Sequence, residues 1–369
     1  MRQNFYKNLE SIRGVSALMI CIYHIGWSTH LRQLPFYSNL WIFVDLFFVL
    51  SGFVIALAYI DRLQIFADSR SFMKRRLFRI YPLHFVTTIA ALALMGMRYL
   101  VMPADTISTY HIDSSWIPLV LSILTLTHNF GWTNNIILNI PSWSISTEFF
   151  AYIVFATTCL IVRDRKYRVA LLVIAAVVSL IILLLASYSL EGPINLRVFR
   201  CLYGFGLGVL TFQIVNYFPS RIPPLLSFIS QSILWITILT AISLISGNSR
   251  LLYFVPLLFA ILTGVMAKDD RSGFLLLWNG RVPTFLGAIS YSVYLNHGVL
   301  MTVFGSAQQR LMPFLSSKTP DSLTLWIGDG LSVIFLATTL ALSFATYKFI
   351  EVPWRERGRR PGHKMPAQT

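Results

Sequence analysis

Long apolar stretches dominate the sequence and are separated by short polar or charged segments. Ten of them approach or exceed the length of about 20 apolar residues that a membrane-spanning helix needs. This pattern predicts an all-α polytopic membrane protein with about ten spanning helices. The predicted spans cover residues 10–30, 40–60, 77–100, 144–163, 168–189, 197–216, 226–246, 250–267, 284–305 and 325–349.

Two stretches need a separate interpretation. Residues 117–130 are apolar but too few for a full span, so we expect a short re-entrant or interfacial helix there. The first stretch resembles a signal peptide in position only. It contains Glu10, Arg13 and His24 and lacks a cleavage site of small residues, so we interpret it as a retained helix.

The composition supports a membrane protein. The chain has 369 residues, of which 56% are hydrophobic and only 12% charged, and its mean hydropathy is +0.66. Soluble domains usually contain about 25% charged residues, which nearly excludes a soluble fold. The three cysteines lie inside apolar stretches, so neither a disulfide framework nor a zinc site is expected.

The positive charges predict the orientation. The chain has 30 Lys and Arg against 15 Asp and Glu, a net charge of +15. With a cytoplasmic N-terminus and ten crossings, 23 of the 30 basic residues fall on the cytoplasmic side, as the positive-inside rule requires. We therefore expect both termini in the cytoplasm, a transmembrane domain over residues 1–354 and a basic, disordered tail over 355–369. The charge excess gives no support to nucleic-acid binding.

Ionisable residues inside spans are costly and usually functional. His24, Asp45, Glu148 and His297 all fall toward the predicted outer half of their helices, which suggests a polar cavity. A carboxylate beside a histidine would make it an effective general base, and the sequence leaves open whether Asp45 or Glu148 partners His24. Arg200, in the sixth span, is a further intramembrane charge.

A cluster of arginines stands where the third span leaves the cytoplasm. Arg76 and Arg79 are three residues apart and therefore project from one helix face, next to Arg75. Such a cluster can bind phosphate groups; the alternative is that it only fixes topology. Arg13 lies on the same face of the first helix as His24, about 16 Å away along the axis.

Gly204, Gly206 and Gly208 form a run of alternate glycines in the sixth span. No strand precedes the run, so it is not a dinucleotide-binding fingerprint. We expect close packing between helices at these positions instead.

Six motifs together resemble the acyltransferase-3 family of integral-membrane O-acyltransferases. The resemblance covers nearly the whole chain, and the order and spacing of the motifs carry it. They are LESIRGVSALMICIYHIGW at 9–27, VDLFFVLSGFVI at 44–55, RRLFRIYPLHF at 75–85, PSWSISTEFFAY at 141–152, SYSVYLNH at 290–297 and FIEVPWR at 349–355.

The resemblance implies an enzyme of the bacterial inner membrane that moves an acyl group, often acetyl, from a cytoplasmic thioester to a hydroxyl of a carbohydrate. The family's R-x10-H motif matches Arg13 and His24, which makes His24 the expected catalytic residue. Its R-x-x-R motif matches Arg76 and Arg79 and implies donor binding. Glu148 matches the acid of a W-S-L-S-x-E pattern that here reads WSISTE.

These features predict a mechanism without a resident cofactor or metal. Acyl-CoA would bind from the cytoplasm on Arg75, Arg76, Arg79 and Arg13. His24 would deprotonate the acceptor hydroxyl, with Asp45 or Glu148 as its partner; a covalent acyl-histidine or acyl-tyrosine step stays open. Acceptor contacts are expected from His297, Tyr291 and Arg200.

The main alternative is a carrier or flippase for a lipid-linked saccharide, which would use the same intramembrane charges as a translocation path. A non-catalytic membrane receptor is a third possibility. The arginine motifs, and the lack of a convincing pair of broken helices in two halves of the chain, favour the enzyme.

Overall fold

The computed structural model describes residues 2–101, 116–130, 138–186, 190, 196–218, 220–269, 278, 280–316 and 321–359. This part of the chain is built from helices and contains no strand, which confirms the all-α class. The α-helices are α1 (Arg2–Tyr23), α2 (Phe43–Tyr59), α3 (Phe66–Val101), α4 (Trp116–Leu124), α5 (Trp143–Ile161), α6 (Arg165–Ala186), α7 (Arg197–Tyr217), α8 (Pro224–Leu244), α9 (Val255–Lys268), α10 (Arg281–Ser316), α11 (Asp321–Thr346) and α12 (Val352–Arg359).

Short irregular helices complete this architecture. Four 3-10 turns and one π-helical turn lie at the ends of longer helices or between them. The 3-10 turns are His30–Gln33, Tyr37–Ile42, Ile140–Ser142 and Arg250–Phe254, and the π turn is Tyr347–Glu351.

Among the described residues, eight helical stretches are long and apolar enough to cross a membrane. Each overlaps a predicted span. The first and ninth predicted spans correspond to α1 and α10, which do not belong to these eight, so the count of ten and the cytoplasmic termini stay predictions. The eight are Tyr37–Tyr59, Phe66–Arg98, Ile140–Ile161, Arg165–Ala186, Arg197–Tyr217, Pro224–Leu244, Arg250–Lys268 and Leu323–Arg359.

Several helices extend past the apolar stretch that predicted them. Helix α3 begins at Phe66, eleven residues before the predicted span at 77, because Asp68 accepts hydrogen bonds from the backbone N–H groups of Gln64 and Ile65. Helix α12 continues to Arg359, into the first residues of the segment predicted as a tail. Residues 360–369 lie outside the described residues.

The short apolar stretch at 117–130 coincides with one short helix, the nine-residue α4, which begins one residue earlier at Trp116. At 1.5 Å per residue this helix is about 14 Å long, which is roughly half of the hydrocarbon thickness of a bilayer. The prediction of a short helix that does not cross is therefore consistent with the structure.

Glycines set the closest helix contacts, as the glycine run predicted. A Cβ atom on Gly208 would lie 2.0 Å from the carbonyl oxygen of Val49, and one on Gly52 would lie 1.9 Å from that of Phe205. Helices α2 and α7 therefore pack backbone against backbone. Gly206 faces the other side, toward Ala176 on α6.

A second close contact joins α1 to α10. A Cβ atom on Gly14 would lie 2.5 Å from the backbone nitrogen of Gly287, and one on Gly287 would lie 2.3 Å from the carbonyl oxygen of Glu10. Because the two backbones touch here, the side chains of Arg13 on α1 and Tyr291 on α10 reach the same interior space.

Candidate active site

A cavity of about 180 Å³ lies among α1, α2, α3, α5 and α10. Charged and aromatic side chains line much of this cavity, although the helices that surround it consist mainly of apolar residues. The lining residues used below are Glu10, Arg13, Phe47, Ser51, Arg76, Arg79, Ser144, Glu148, Tyr152, Tyr291 and Tyr294. Glu10 is itself exposed, so this end of the cavity communicates with the surface.

Three arginines supply the positive charge of the cavity. Arg13, Arg76 and Arg79 are half-buried, and no carboxylate oxygen of the described residues lies within 4.0 Å of their nitrogens. Arg76 lies over the rings of Tyr59 and Tyr152, 5.5 and 5.8 Å from their centroids. The guanidinium also donates a long hydrogen bond of 3.4 Å to the Tyr59 hydroxyl, and its remaining donors are available for an anion.

Glu148 and the exposed Glu10 are the two acids that line the cavity, and Glu148 is the one with partners inside it. One of its carboxylate oxygens accepts hydrogen bonds from the hydroxyls of Ser51 and Tyr152, both at 2.5 Å. Tyr152 also lies under Arg76, so the acid, the hydroxyl and the guanidinium form one polar group. Glu148 therefore faces the arginines of the cavity.

A second acid faces the arginines from outside the cavity wall. Glu351 is buried at the end of the π turn and accepts a hydrogen bond from Ser292 at 3.1 Å. Its other oxygen has no hydrogen-bond partner among the described residues. Arg79 is within electrostatic range of this carboxylate, and π turns are frequent at functional sites.

The two predicted intramembrane histidines meet in a separate place. The imidazole nitrogens His297 Nε2 and His24 Nδ1 are 3.3 Å apart, and the ring centroids are 5.0 Å apart. His297 is fully buried, whereas His24 is half-buried. No described carboxylate contacts either ring by a hydrogen bond or an ion pair.

His24 lies one residue beyond α1, which ends at Tyr23. Its backbone N–H still donates to the carbonyl of Ile20, so its position follows the helix. The Tyr37 hydroxyl lies 2.7–3.1 Å from three carbonyls at the end of α1, those of Ile22, Tyr23 and Ile25. This explains why the helix stops here, short of the predicted limit at residue 30.

Two contacts anchor the loop that follows His24 to α11. The Trp27 indole N–H lies within hydrogen-bond distance of the Gly328 carbonyl and the Ser332 hydroxyl, at 3.0 and 2.9 Å. His30 pairs with Asp329 at 2.5 Å. A loop anchored in this way restricts the position of His24.

An aromatic pair separates the cavity from the histidines. Phe47 and Tyr294 both line the cavity, and their ring centroids are 5.6 Å apart. On its other side, the Tyr294 ring lies 5.8 Å from that of His297. The Tyr294 hydroxyl accepts a hydrogen bond from Ser144 at 2.8 Å. The arginine cavity and the histidine pair are thus neighbours across one layer of side chains.

Asp45 and Arg200 form a buried ion pair. The Arg200 guanidinium donates to both carboxylate oxygens, at 2.9 and 2.6 Å. Asp45 is 0% exposed and Arg200 2%, and the guanidinium lies between the rings of Trp41 and Trp143. The pair connects α2 to α7, and neither side chain lines the cavity.

The structure therefore divides the residues that the sequence suggested as one site. It brings Arg13, Arg76, Arg79, Glu148 and Tyr291 to the cavity, His24 to His297, and Asp45 to Arg200. The predicted cavity of two acids and two histidines does not form, because each acid has its own partner on another helix. Arg75 lies over the Tyr59 ring, outside the cavity lining.

Some residues of the site were not predicted. Tyr152 follows Glu148 by four residues and Tyr294 precedes His297 by three, so helical spacing alone would have placed each beside its predicted neighbour. Glu351 is the acidic residue of the motif FIEVPWR. Ser51 and Phe47 carry no sequence signal that separates them from ordinary packing residues.

The known proteins that resemble this chain are described or named as acyltransferases or acetyltransferases. A family model described as an acyltransferase domain matches residues 6–348. A protein of the Acidianus two-tailed virus, provisionally named as an acetyltransferase, is 23% identical over 83% of this chain and 86% of its own length. No solved structure matches the chain significantly.

Two bacterial relatives add detail. A Staphylococcus aureus protein, provisionally named as an O-acetyltransferase, is 24% identical over 99% of this chain. The alignment spans only 60% of that relative's length. The acyltransferase MdmB of Streptomyces mycarofaciens is 34% identical over 34% of this chain and 30% of its own length.

Proposed function

The chain belongs to the acyltransferase-domain family, and from this premise we propose that it is a membrane O-acyltransferase that uses acyl-CoA, most simply acetyl-CoA, as its donor. Membership over residues 6–348 makes it an acyltransferase with several helices that can cross a membrane. Acyl-CoA as the donor, a catalytic role of His24 and a carbohydrate as the acceptor are proposals that go beyond family membership.

One observation carries the choice of donor. Arg13, Arg76 and Arg79 converge on a cavity without a carboxylate ion pair among the described residues. Unpaired arginines within an apolar assembly are costly, and bidentate binding of phosphate is the chemistry for which a guanidinium is best suited. A CoA thioester carries such phosphates at one end and its acyl group at the other.

The position of the cavity explains how the acyl group would reach His24. The phosphates would bind at the arginines on the cytoplasmic side, near the exposed Glu10. The thioester end would then lie against Phe47 and Tyr294, next to the histidine pair. A movement of the Phe47 and Tyr294 side chains would connect the arginine cavity with the space around His24 and His297.

His24 would act as the general base. Its Nε2 takes the proton of the acceptor hydroxyl, and the hydroxyl oxygen attacks the thioester carbonyl carbon. The carbon–sulfur bond then breaks, the proton passes to the departing sulfur, and CoA thiol and an acyl ester result. Tyrosine hydroxyls near Tyr294 are candidates to stabilise the oxyanion.

The acceptor would be a hydroxyl of a carbohydrate or cell-surface glycan that enters from the outer side. The O-acetyltransferase name of the staphylococcal relative supports transfer to oxygen. The family resemblance supports a carbohydrate, and location in a bacterial plasma membrane is part of the same proposal.

Consumption of labelled acetyl-CoA by the purified protein tests this proposal. We expect the wild-type protein to cleave the thioester in the presence of membrane glycans and to transfer the label to them. His24→Ala should lose the activity, on the order of 10²–10⁴-fold for removal of a general base, while its thermal midpoint stays unchanged.

A carrier would give a different result. It would move a lipid-linked saccharide between leaflets of a reconstituted vesicle without loss of thioester. Saccharide movement with no consumption of acetyl-CoA, or full activity in His24→Ala, would overturn the proposed function.

A further inference from the structure

We propose that His297 is a positioning residue for His24: its Nε2 accepts a hydrogen bond from His24 Nδ1–H and so leaves His24 Nε2 as the free basic nitrogen. This inference rests on the proposed function for its catalytic meaning. In this arrangement the partner of His24 is the imidazole of His297 and not the carboxylate expected from the sequence, and His297 has a role other than acceptor binding.

The hydrogen-bond partners of the two rings fix their tautomers. His24 Nδ1 lies 2.9 Å from the carbonyl oxygen of Ile20, and His297 Nδ1 lies 3.2 Å from that of Val293. A carbonyl oxygen can only accept, so both Nδ1 atoms carry the proton. A neutral imidazole has one N–H, and both Nε2 atoms are therefore acceptors.

The contact between the rings then has one direction. His297 Nε2 can only accept, and the atom that faces it at 3.3 Å is His24 Nδ1, which carries a proton. The His24 N–H is shared between the Ile20 carbonyl and the His297 nitrogen. No described residue makes a hydrogen bond with His24 Nε2, which remains available to a substrate hydroxyl.

The surroundings of His297 suit this role. Its ring is fully buried, its helix α10 packs along α1, and the Tyr294 ring contacts it from the side of the cavity. A buried acceptor without charge orients the neighbouring ring. It also stabilises the imidazolium that forms when His24 takes a proton, without the desolvation cost of a carboxylate.

The two acids that could have taken this role have other partners. Asp45 binds the guanidinium of Arg200, and Glu148 binds the hydroxyls of Ser51 and Tyr152. Among the described residues, His297 is the only one whose side chain forms a hydrogen bond with the His24 ring.

Three substitutions at position 297 separate positioning from packing. In His297→Gln the side-chain amide oxygen can occupy the place of Nε2 and accept the same hydrogen bond. His297→Asn ends one bond earlier, at the place of Nδ1, and His297→Leu keeps the volume without an acceptor. We expect kcat to fall about 10²-fold in the Asn and Leu variants and less than tenfold in Gln, with KM for acetyl-CoA unchanged in all three.

The kinetic pattern decides between the roles. An equal loss of kcat in His297→Gln and His297→Asn would overturn the proposal. A rise in KM for the acceptor with kcat unchanged would also overturn it, because that result would mean that His297 binds the acceptor. Thermal midpoints within a few degrees of the wild type are required of each variant that is compared.

A spectroscopic measurement tests the geometry without reference to activity. The full-length protein labelled with 15N in its histidine rings is measured by NMR in lipid bilayers, and variants at positions 24 and 297 assign the signals. We expect the Nδ1–H tautomer in both rings and a coupling through the hydrogen bond between His24 Nδ1 and His297 Nε2. An Nε2–H tautomer at His24 would overturn the inference, whereas loss of acyl transfer with this spectrum intact would overturn only the proposed function.

Discussion

Two groups of arginines lie among the packed helices, and their surroundings differ. Arg200 donates to both oxygens of Asp45 and is almost completely buried. Arg13, Arg76 and Arg79 line a cavity and make no ion pair with a described carboxylate. The same residue type therefore has two kinds of surroundings in one apolar assembly.

The difference shows which intramembrane charges are available to a ligand. A guanidinium whose donors already bind a carboxylate contributes to the connection between two helices, here α2 and α7. A guanidinium that binds no carboxylate, such as that of Arg76, which lies over aromatic rings and donates to the Tyr59 hydroxyl, keeps donors available for an anion. The sequence assigned Arg13, Arg76 and Arg79 to the donor and Arg200 to the acceptor, and it did not predict that Arg200 pairs with Asp45.

The largest effect is expected when the acid of the buried ion pair is removed. Asp45→Asn would leave the Arg200 charge buried without a counter-ion, and loss of one partner of a buried pair costs about 3–5 kcal/mol. We expect a large fall in the thermal midpoint in detergent. As a matched control, Asp45→Leu with Arg200→Leu removes both charges and should be more stable than Asp45→Asn.

A substitution two residues away should affect specificity instead of stability. Phe47 closes the end of the cavity next to the histidines. Phe47→Ala is expected to raise the ratio of kcat/KM for propionyl-CoA over acetyl-CoA about tenfold, because space for one methylene is worth about 1–3 kcal/mol.

Ile55 lines the same cavity two helical turns further along α2 and is the control position. Ile55→Ala should leave the acyl preference unchanged. An equal change in preference in both variants would show that Phe47 does not define the acyl end.

Loss of one positive charge among Arg13, Arg76 and Arg79 should change the stability of the fold little. Arg13→Gln removes no ion pair to a described carboxylate, and the nearby acids Glu148 and Glu351 remain within electrostatic range of Arg79, so we expect the free energy of unfolding to change by less than about 1 kcal/mol. A loss as large as that of Asp45→Asn, measured by thermal unfolding in detergent, would show that Arg13 is also structural.

The smallest effect is expected at an exposed ion pair. Arg165 and Asp61 are 3.4 Å apart, and their side chains are 33% and 57% exposed. Exposed pairs contribute about 0.2–1 kcal/mol, so Asp61→Asn should shift the thermal midpoint by a degree or two at most. A larger shift would mean that pairing alone, without burial, stabilises these helices.

The sequence predicted the helices well because hydropathy and membrane thickness determine them. The stretches at 40–60 and 197–216 agree with the helical segments Tyr37–Tyr59 and Arg197–Tyr217 to within three residues. The deviations occur outside the apolar region, as at Phe66, where a capping carboxylate starts the helix in the polar segment.

The partners of the polar residues could not be predicted. Asp45 lies 155 residues from Arg200, and His24 lies 273 residues from His297. Hydropathy places each residue at a depth, and helical spacing places it on a face, but neither states which helix packs beside it. Asp45 and Glu148 were therefore equally good partners for His24 in the sequence, and the packing of α1 against α10 gives His297 instead.

Titration of CoA into the purified protein tests most directly whether the unpaired arginines are the donor site. The variant Arg13→Gln/Arg76→Gln is preferred to changes at Arg79, because Arg79 has the largest electrostatic effect of any charged residue on the buried Glu351. Arg75→Gln is the control, since Arg75 does not line the cavity.

We expect CoA to bind the wild-type protein with an affinity that falls as the salt concentration rises, because the contacts are ionic. The double variant should bind at least 10²-fold more weakly, as loss of two charge-assisted hydrogen bonds of about 1.5–3 kcal/mol each implies. Arg75→Gln should bind within tenfold of the wild type. An unchanged CoA affinity in a folded double variant would contradict the account.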